Sequence, residues 1–150
     1  MTGRLLAPVP GWTISADVVV VGSGVAGLTA ALHAAHAGRV LLVTKVLVDA
    51  GSTRWAQGGV AAALGADDSP EDHLQDTLEA GVGICDVDAV RVLCTEGPAR
   101  LRELIALGAA FDRDPNGELA LTREGGHHRN RIVHAGGDAT GAEVSRALVA

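Results

Sequence analysis

Three stretches of this 150-residue sequence carry residue types whose spacing suits chemistry. The first is Gly22-Ser23-Gly24-Val25-Ala26-Gly27, a GxGxxG pattern that leaves one apolar run and opens another. In that setting the first glycine permits a tight turn, the second lets backbone approach a phosphate, and the third lets helix and strand pack closely. Free N–H groups at the helix start, with the helix dipole behind them, then face an anion. The second stretch is Gly51-Ser52-Thr53-Arg54-Trp55-Ala56-Gln57-Gly58-Gly59, where Ser52, Thr53 and Gln57 supply short polar contacts and two glycines expose backbone amides. The third runs from Leu121 to Gly141 and holds Glu124, His127, His128, Arg131 and His134. Its histidines do not have the spacing of a zinc site, and no Cys or acid completes a ligand set, so no metal is expected.

The elements that position these stretches follow from apolar patterning. Asp17–Val21 is a short continuous apolar run of the kind that forms a buried parallel strand. Ala26–Ala37 reads as a helix ended by Gly38, and Arg39–Thr44 as a second buried strand. Strand, helix and parallel strand make a βαβ unit. A nicotinamide-binding unit of this kind places an acid at the end of the second strand, about 20 residues on, for the ribose hydroxyls. Here the strand ends Val43-Thr44-Lys45, and the next acid is Asp49. Thr44 is suited to a ribose and Lys45 to a phosphate. The departure argues against NAD but does not select another dinucleotide.

Further along, Ser69-Pro70-Glu71-Asp72 is a helix start, with Ser69 as N-cap and Pro70 in the first turn. That helix should run to about Ala80, burying Leu74 and Leu78. Asp88–Glu96 and Pro98–Leu107 read as two helices broken at Gly97-Pro98. Asn116-Gly117, inside Phe111–Leu121, is a two-residue hairpin signal. Residues 122–137 read as a polar glycine-rich loop, and Thr140 opens a helix that has no stop signal before Ala150. The expected division is a flexible leader over 1–15 and, over 16–150, the N-terminal part of a dinucleotide-binding α/β domain whose remaining sheet lies elsewhere.

Composition narrows the partners. The formal net charge is −6 and only 2% of residues are aromatic, so no basic stripe or stacking platform for nucleic acid is expected. The run Val18–Val21 is far short of the roughly 20 apolar residues of a membrane span. Cys85 and Cys94 have no metal or redox spacing and suit two thiols in a reducing cytoplasm.

The GSGVAGL segment, Thr44-Lys45 and the Ser52–Gly59 loop together resemble the succinate dehydrogenase/fumarate reductase flavoprotein family. The resemblance implies a Rossmann-like FAD-binding fold, truncated here before the rest of the sheet and the capping domain. It implies FAD contacts from Gly22, Ser23, Gly24, Val25, Ala26, Gly27, Thr44, Lys45, Ser52, Thr53, Arg54, Trp55, Ala56, Gln57, Gly58 and Gly59. Respiratory members carry a flavin-linking histidine just ahead of this loop, where Ser52 stands here, so non-covalent FAD is implied.

Leu121-Thr122-Arg123-Glu124-Gly125-Gly126-His127, Arg131-Ile132-Val133-His134-Ala135, Asp138-Ala139-Thr140-Gly141 and Ala80–Asp86 resemble the L-aspartate-oxidising branch of the family. The likeness runs from about Asp17 to Val149, with departures at His127-His128-Arg129-Asn130 and at an extra glycine in HAGGDATG. It implies FAD-dependent oxidation of L-aspartate to iminoaspartate, with fumarate or oxygen as electron acceptor and a product that feeds quinolinate synthase in NAD biosynthesis. Glu124 is the expected partner of the substrate ammonium, which requires it to lie in a desolvated cleft. A substrate carboxylate is left to His127, Arg131 or His134. The family's arginine for proton transfer lies beyond the equivalent of residue 150, so the isolated chain is expected to be inactive. Two other readings are a respiratory flavoprotein subunit and a non-catalytic FAD-binding fragment.

Overall fold

The computed structural model describes residues 9–150; the part of the expected leader that falls on residues 1–8 lies outside the described residues. Strand β1 (Val18–Val21) leads into helix α1 (Val25–Ala34) and then strand β2 (Val40–Val43). The two strands pair in parallel, with Val18 opposite Val40 and Val21 opposite Val43. Asp17 Oδ2 accepts the Arg39 amide at 2.7 Å. A Cβ on Gly38 would stand 2.8 Å from that oxygen, which explains the glycine there.

The strands are less buried than their apolar runs predict. Val19 is 57% and Val21 81% exposed. An all-apolar parallel strand needs cover on both faces, and the described residues do not supply it.

A 3-10 turn (Ser52–Trp55) precedes strand β3 (Val60–Ala61), followed by helix α2 (Pro70–Ala80) and helix α3 (Val87–Ala106). Ser69 Oγ caps α2 by accepting the Asp72 amide at 3.0 Å, and Asp86 Oδ1 caps α3 through the Ala89 amide. The expected break at Gly97-Pro98 does not occur: α3 is one helix with Pro98 inside it. An internal proline costs about 3 kcal/mol. Burial of Cys94, Pro98 and Leu101 along one face offsets that cost, because these positions fall at helical spacing against the core.

Two further corrections lie downstream. The Asn116-Gly117 turn is not a two-residue hairpin but a longer one. Asp114 O accepts the Gly117 amide at 3.0 Å, and Gly117 takes a φ of +87°. Pro115 favours this wider turn, and only a single bridge, Arg113 with Leu119, follows it. The stretch 122–137 is not loop throughout, for strand β4 (Ile132–Val133) pairs antiparallel with β3. Both β4 residues are buried.

Helix α4 (Thr140–Val149) closes the described chain. Its Val144, Ala147 and Leu148 meet Leu28, Leu101, Phe111 and Val133 in one core. Among the described residues no helix is long and apolar enough to cross a membrane.

Candidate functional site

The glycine loop has the geometry of an anion cradle. Gly22 takes a φ of +108°, which a side chain rarely adopts. Its amide donates to Val43 O at 2.8 Å, fixing the loop to the end of β2. A Cβ on Gly27 would lie 1.9 Å from Gly22 O, so only glycine lets α1 come this close. Gly24 is the N-cap of α1; it has no side chain to cap the helix, and no acid stands in the first turn. No charged group of its own neutralises the helix's positive end, which therefore favours an anion.

The second loop folds over the first. Thr53 Oγ1 accepts the Val25 amide at 2.9 Å, and Ser23 Oγ donates to Thr44 Oγ1 at 3.1 Å. Gly51 packs against Ser23 O. A cavity of about 480 Å³ results, lined by Gly22, Ser23, Gly24, Thr44, Lys45 and Ser52 among others. Its lining includes Lys45 but no acid. The glycine cradle, the helix start without an acid and this charge balance fit a dinucleotide pyrophosphate.

The remaining loop residues spread apart. Ala56 O accepts the Gly141 amide at 2.9 Å, bracing the loop against α4. Arg54 pairs with Asp49 at 3.5 Å and lines a separate cavity of about 430 Å³ with Ser145 and Arg146. Trp55 lies beside the Arg54 guanidinium and is 73% exposed. Gln57 and Gly58 are exposed. Gly59 serves packing, since a Cβ there would meet Ile132 Cγ2 and Val133 O.

In the third stretch the structure separates residues that the sequence left as equals. Arg131 is fully buried. Its Nε and Nη2 donate to the two carboxylate oxygens of Asp68 at 2.8 and 2.7 Å. Nη1 donates to Asp76 Oδ2 at 2.8 Å and lies 3.3 Å from His127 Nδ1. The guanidinium is thereby committed to internal partners, which removes Arg131 from the residues able to meet a substrate carboxylate. Asp76 also accepts the His128 amide at 2.8 Å and faces the His128 ring at 2.6 Å.

Burial alone would raise the Asp76 carboxyl. The amide and ring of His128 and the Arg131 charge outweigh it and hold the group at about 2. His128 is pushed up in return by that hydrogen bond. His73, packed against the His127 ring at 5.5 Å between centroids, is pushed down by burial and by the Arg131 charge. This network ties the third stretch to α2. Asp68 and Asp76 were not singled out from sequence. The available signal was an arginine next to the apolar pair Ile132-Val133, because a buried cation requires buried anions.

Glu124 stands apart from that network. Its Oε1 lies 3.2 Å from His134 Nε2, and its side chain is 50% exposed against 21% for His134. The expected desolvated setting is therefore not provided by the described residues. Among them, no group of three or more His, Cys, Asp or Glu gathers to hold a metal.

Comparison with known proteins agrees with this geometry. The chain is 72% identical over 147 residues to L-aspartate oxidase of Streptomyces coelicolor, covering 97% of this chain and 25% of that protein. It is 55% identical to L-aspartate oxidase of Mycobacterium leprae, covering 93% of this chain and 27% of that protein. The chain thus spans about a quarter of the length of the curated relatives it matches. Among solved structures, Mycobacterium smegmatis Sdh1 in complex with UQ1 superposes with a TM-score of 0.83 at 39% identity, over 89% of this chain and 23% of that one. The E. coli quinol fumarate reductase FrdA E245Q variant gives 0.84 at 34% identity, with the same coverage of each chain. The sequence profile of the FAD binding domain matches residues 17–150, and with the glycine cradle on α1 this establishes that the chain belongs to the FAD-binding domain family.

Proposed function

We propose that, in a protein of the relatives' length, these residues bind FAD non-covalently and serve the oxidation of L-aspartate to iminoaspartate. Bound FAD would supply the two-electron acceptor, itself reoxidised by fumarate or oxygen. The chain's own residues do the rest. The α1 N-terminus and Lys45 meet the pyrophosphate, and Thr44 and Ser23 fix the turn beside it. Ser52 offers no ring nitrogen for a covalent link. Glu124 faces the ammonium that distinguishes aspartate from succinate.

The observation that carries this reading is a carboxylate 3.2 Å from His134, whose ring lies against Gly59, in a chain whose close relatives are named for aspartate oxidation. Structural likeness to fumarate reductase favours a respiratory subunit as a second reading; Glu124 and Ser52 count against it. A product feeding quinolinate synthase belongs to the same proposal. So does a cytoplasmic setting, which the two unpaired thiols Cys85 and Cys94 support.

The discriminating variant is Glu124→Gln in the full-length protein carrying this segment. It should lower kcat/KM for L-aspartate about a hundredfold, as for loss of a charged partner at a covered site. Fumarate reduction should stay near its starting rate. Equal losses on both substrates would remove the ammonium-binding role.

A further inference from the structure

We propose that His134 is a positioning residue for Glu124, and through it part of what separates an ammonium-bearing dicarboxylate from the same diacid without nitrogen. The inference rests on the reading of Glu124 given above. His134 Nε2 lies 3.2 Å from Glu124 Oε1 and 3.1 Å from Thr122 Oγ1. Thr122 Oγ1 donates its own proton to Ile132 O at 3.4 Å. Its lone pairs therefore face the imidazole, and Nε2 carries the ring hydrogen. That hydrogen goes to the threonine hydroxyl, and Glu124 Oε1 stands 3.2 Å from the same nitrogen.

The two partners differ in freedom. His134 is 21% exposed and Glu124 50% exposed, so the ring is the more enclosed of the two. The ring is set from behind as well. A Cβ on Gly59 would stand 2.9 Å from His134 Cε1, so the imidazole lies directly against the second glycine loop. On the backbone, His134 O accepts the Asp112 amide at 2.8 Å. A single side chain thereby joins the loop read as flavin-facing to the carboxylate read as substrate-facing. Glu124 is followed by Gly125 and Gly126, neither of which can hold it by side-chain packing. Because the Nε2 hydrogen is spent on Thr122, the glutamate's lone pairs stay open to an ammonium.

The test uses the flavin-loaded full-length protein and steady-state kinetics with L-aspartate and, separately, fumarate. His134→Phe keeps a ring against Gly59 and removes the donor. It should raise KM for aspartate about tenfold, the effect of losing one polar contact to a charged group. Fumarate has no ammonium for Glu124 to meet, so its KM should rise clearly less than that of aspartate. His134→Gln, whose amide can donate to the same carboxylate, should recover most of the loss. Adding His134→Phe to Glu124→Gln should cause no further rise, because the two act as one unit. An unchanged aspartate KM in His134→Phe, beside a raised one in Glu124→Gln, overturns the positioning role and leaves the Glu124 reading intact. Parallel losses on aspartate and fumarate in His134→Phe also overturn it, since they mark a merely structural residue. An unchanged aspartate KM in Glu124→Gln overturns both.

Discussion

Replacing Arg131 with methionine should destabilise the chain by about 3–5 kcal/mol, the cost of leaving buried charges without their partner. Typical domains are stable by only about 5–15 kcal/mol, so this one change removes much of the margin. The reason lies in the geometry. Arg131 is fully buried, and it spans Asp68, whose side chain is likewise inaccessible, and Asp76, 8% exposed. Methionine fills a similar volume but strands two carboxylates. Arg131→Lys should be intermediate, because an ammonium cannot pair bidentately with Asp68 while also reaching Asp76. Replacing all three members with apolar residues should recover stability that the single change loses. Urea unfolding followed by far-UV circular dichroism measures each case; a midpoint for Arg131→Met equal to the starting one would show that the network is not structural.

The second large effect is expected at the glycine cradle. Gly27→Ala places a methyl 1.9 Å from Gly22 O and 2.9 Å from Gly22 C, both backbone atoms of the turn. Neither can swing aside as a flexible side chain would. Overpacking of this kind costs about 1–3 kcal/mol. The displaced atoms belong to the turn proposed to meet the pyrophosphate, so on that reading the same strain should weaken FAD binding by about tenfold to a hundredfold. Gly97→Ala, in α3 and away from the glycine loops, is the matching control, since the nearest atom to a Cβ there is Ala62 Cβ at 4.0 Å. Fluorescence titration with FAD and a thermal melt on both variants separate the two effects. Unchanged FAD affinity in Gly27→Ala would remove the cradle from the binding site.

Local chemistry made part of this molecule readable from its residues. The βαβ unit and the Ser69-capped start of α2 rest on apolar period and capping, which neighbouring residues encode. Pro98 misled because its penalty is local, whereas the burial of Cys94, Pro98 and Leu101 that overrides it is tertiary. Strand β4 was missed for a related reason: two residues cannot show a period, and their pairing partner is β3, far back in the chain. The candidate site divides in the same way. Gly22, Gly24 and Gly27 announce themselves by spacing. The commitment of Arg131 to Asp68 and Asp76 depends on side chains more than fifty positions away in sequence, and no short window holds that information. Glu124 was recognisable only within its motif, and its half-exposed setting beside His134 required the fold.

The central claim is that these residues belong to a flavoprotein whose reductant is L-aspartate. Anaerobic addition of L-aspartate to the flavin-loaded full-length protein, with succinate added to a parallel sample, tests it most directly. Loss of the oxidised-flavin absorbance with aspartate and not with succinate is the predicted result. Bleaching with succinate alone would contradict the claim and assign the protein to the respiratory branch.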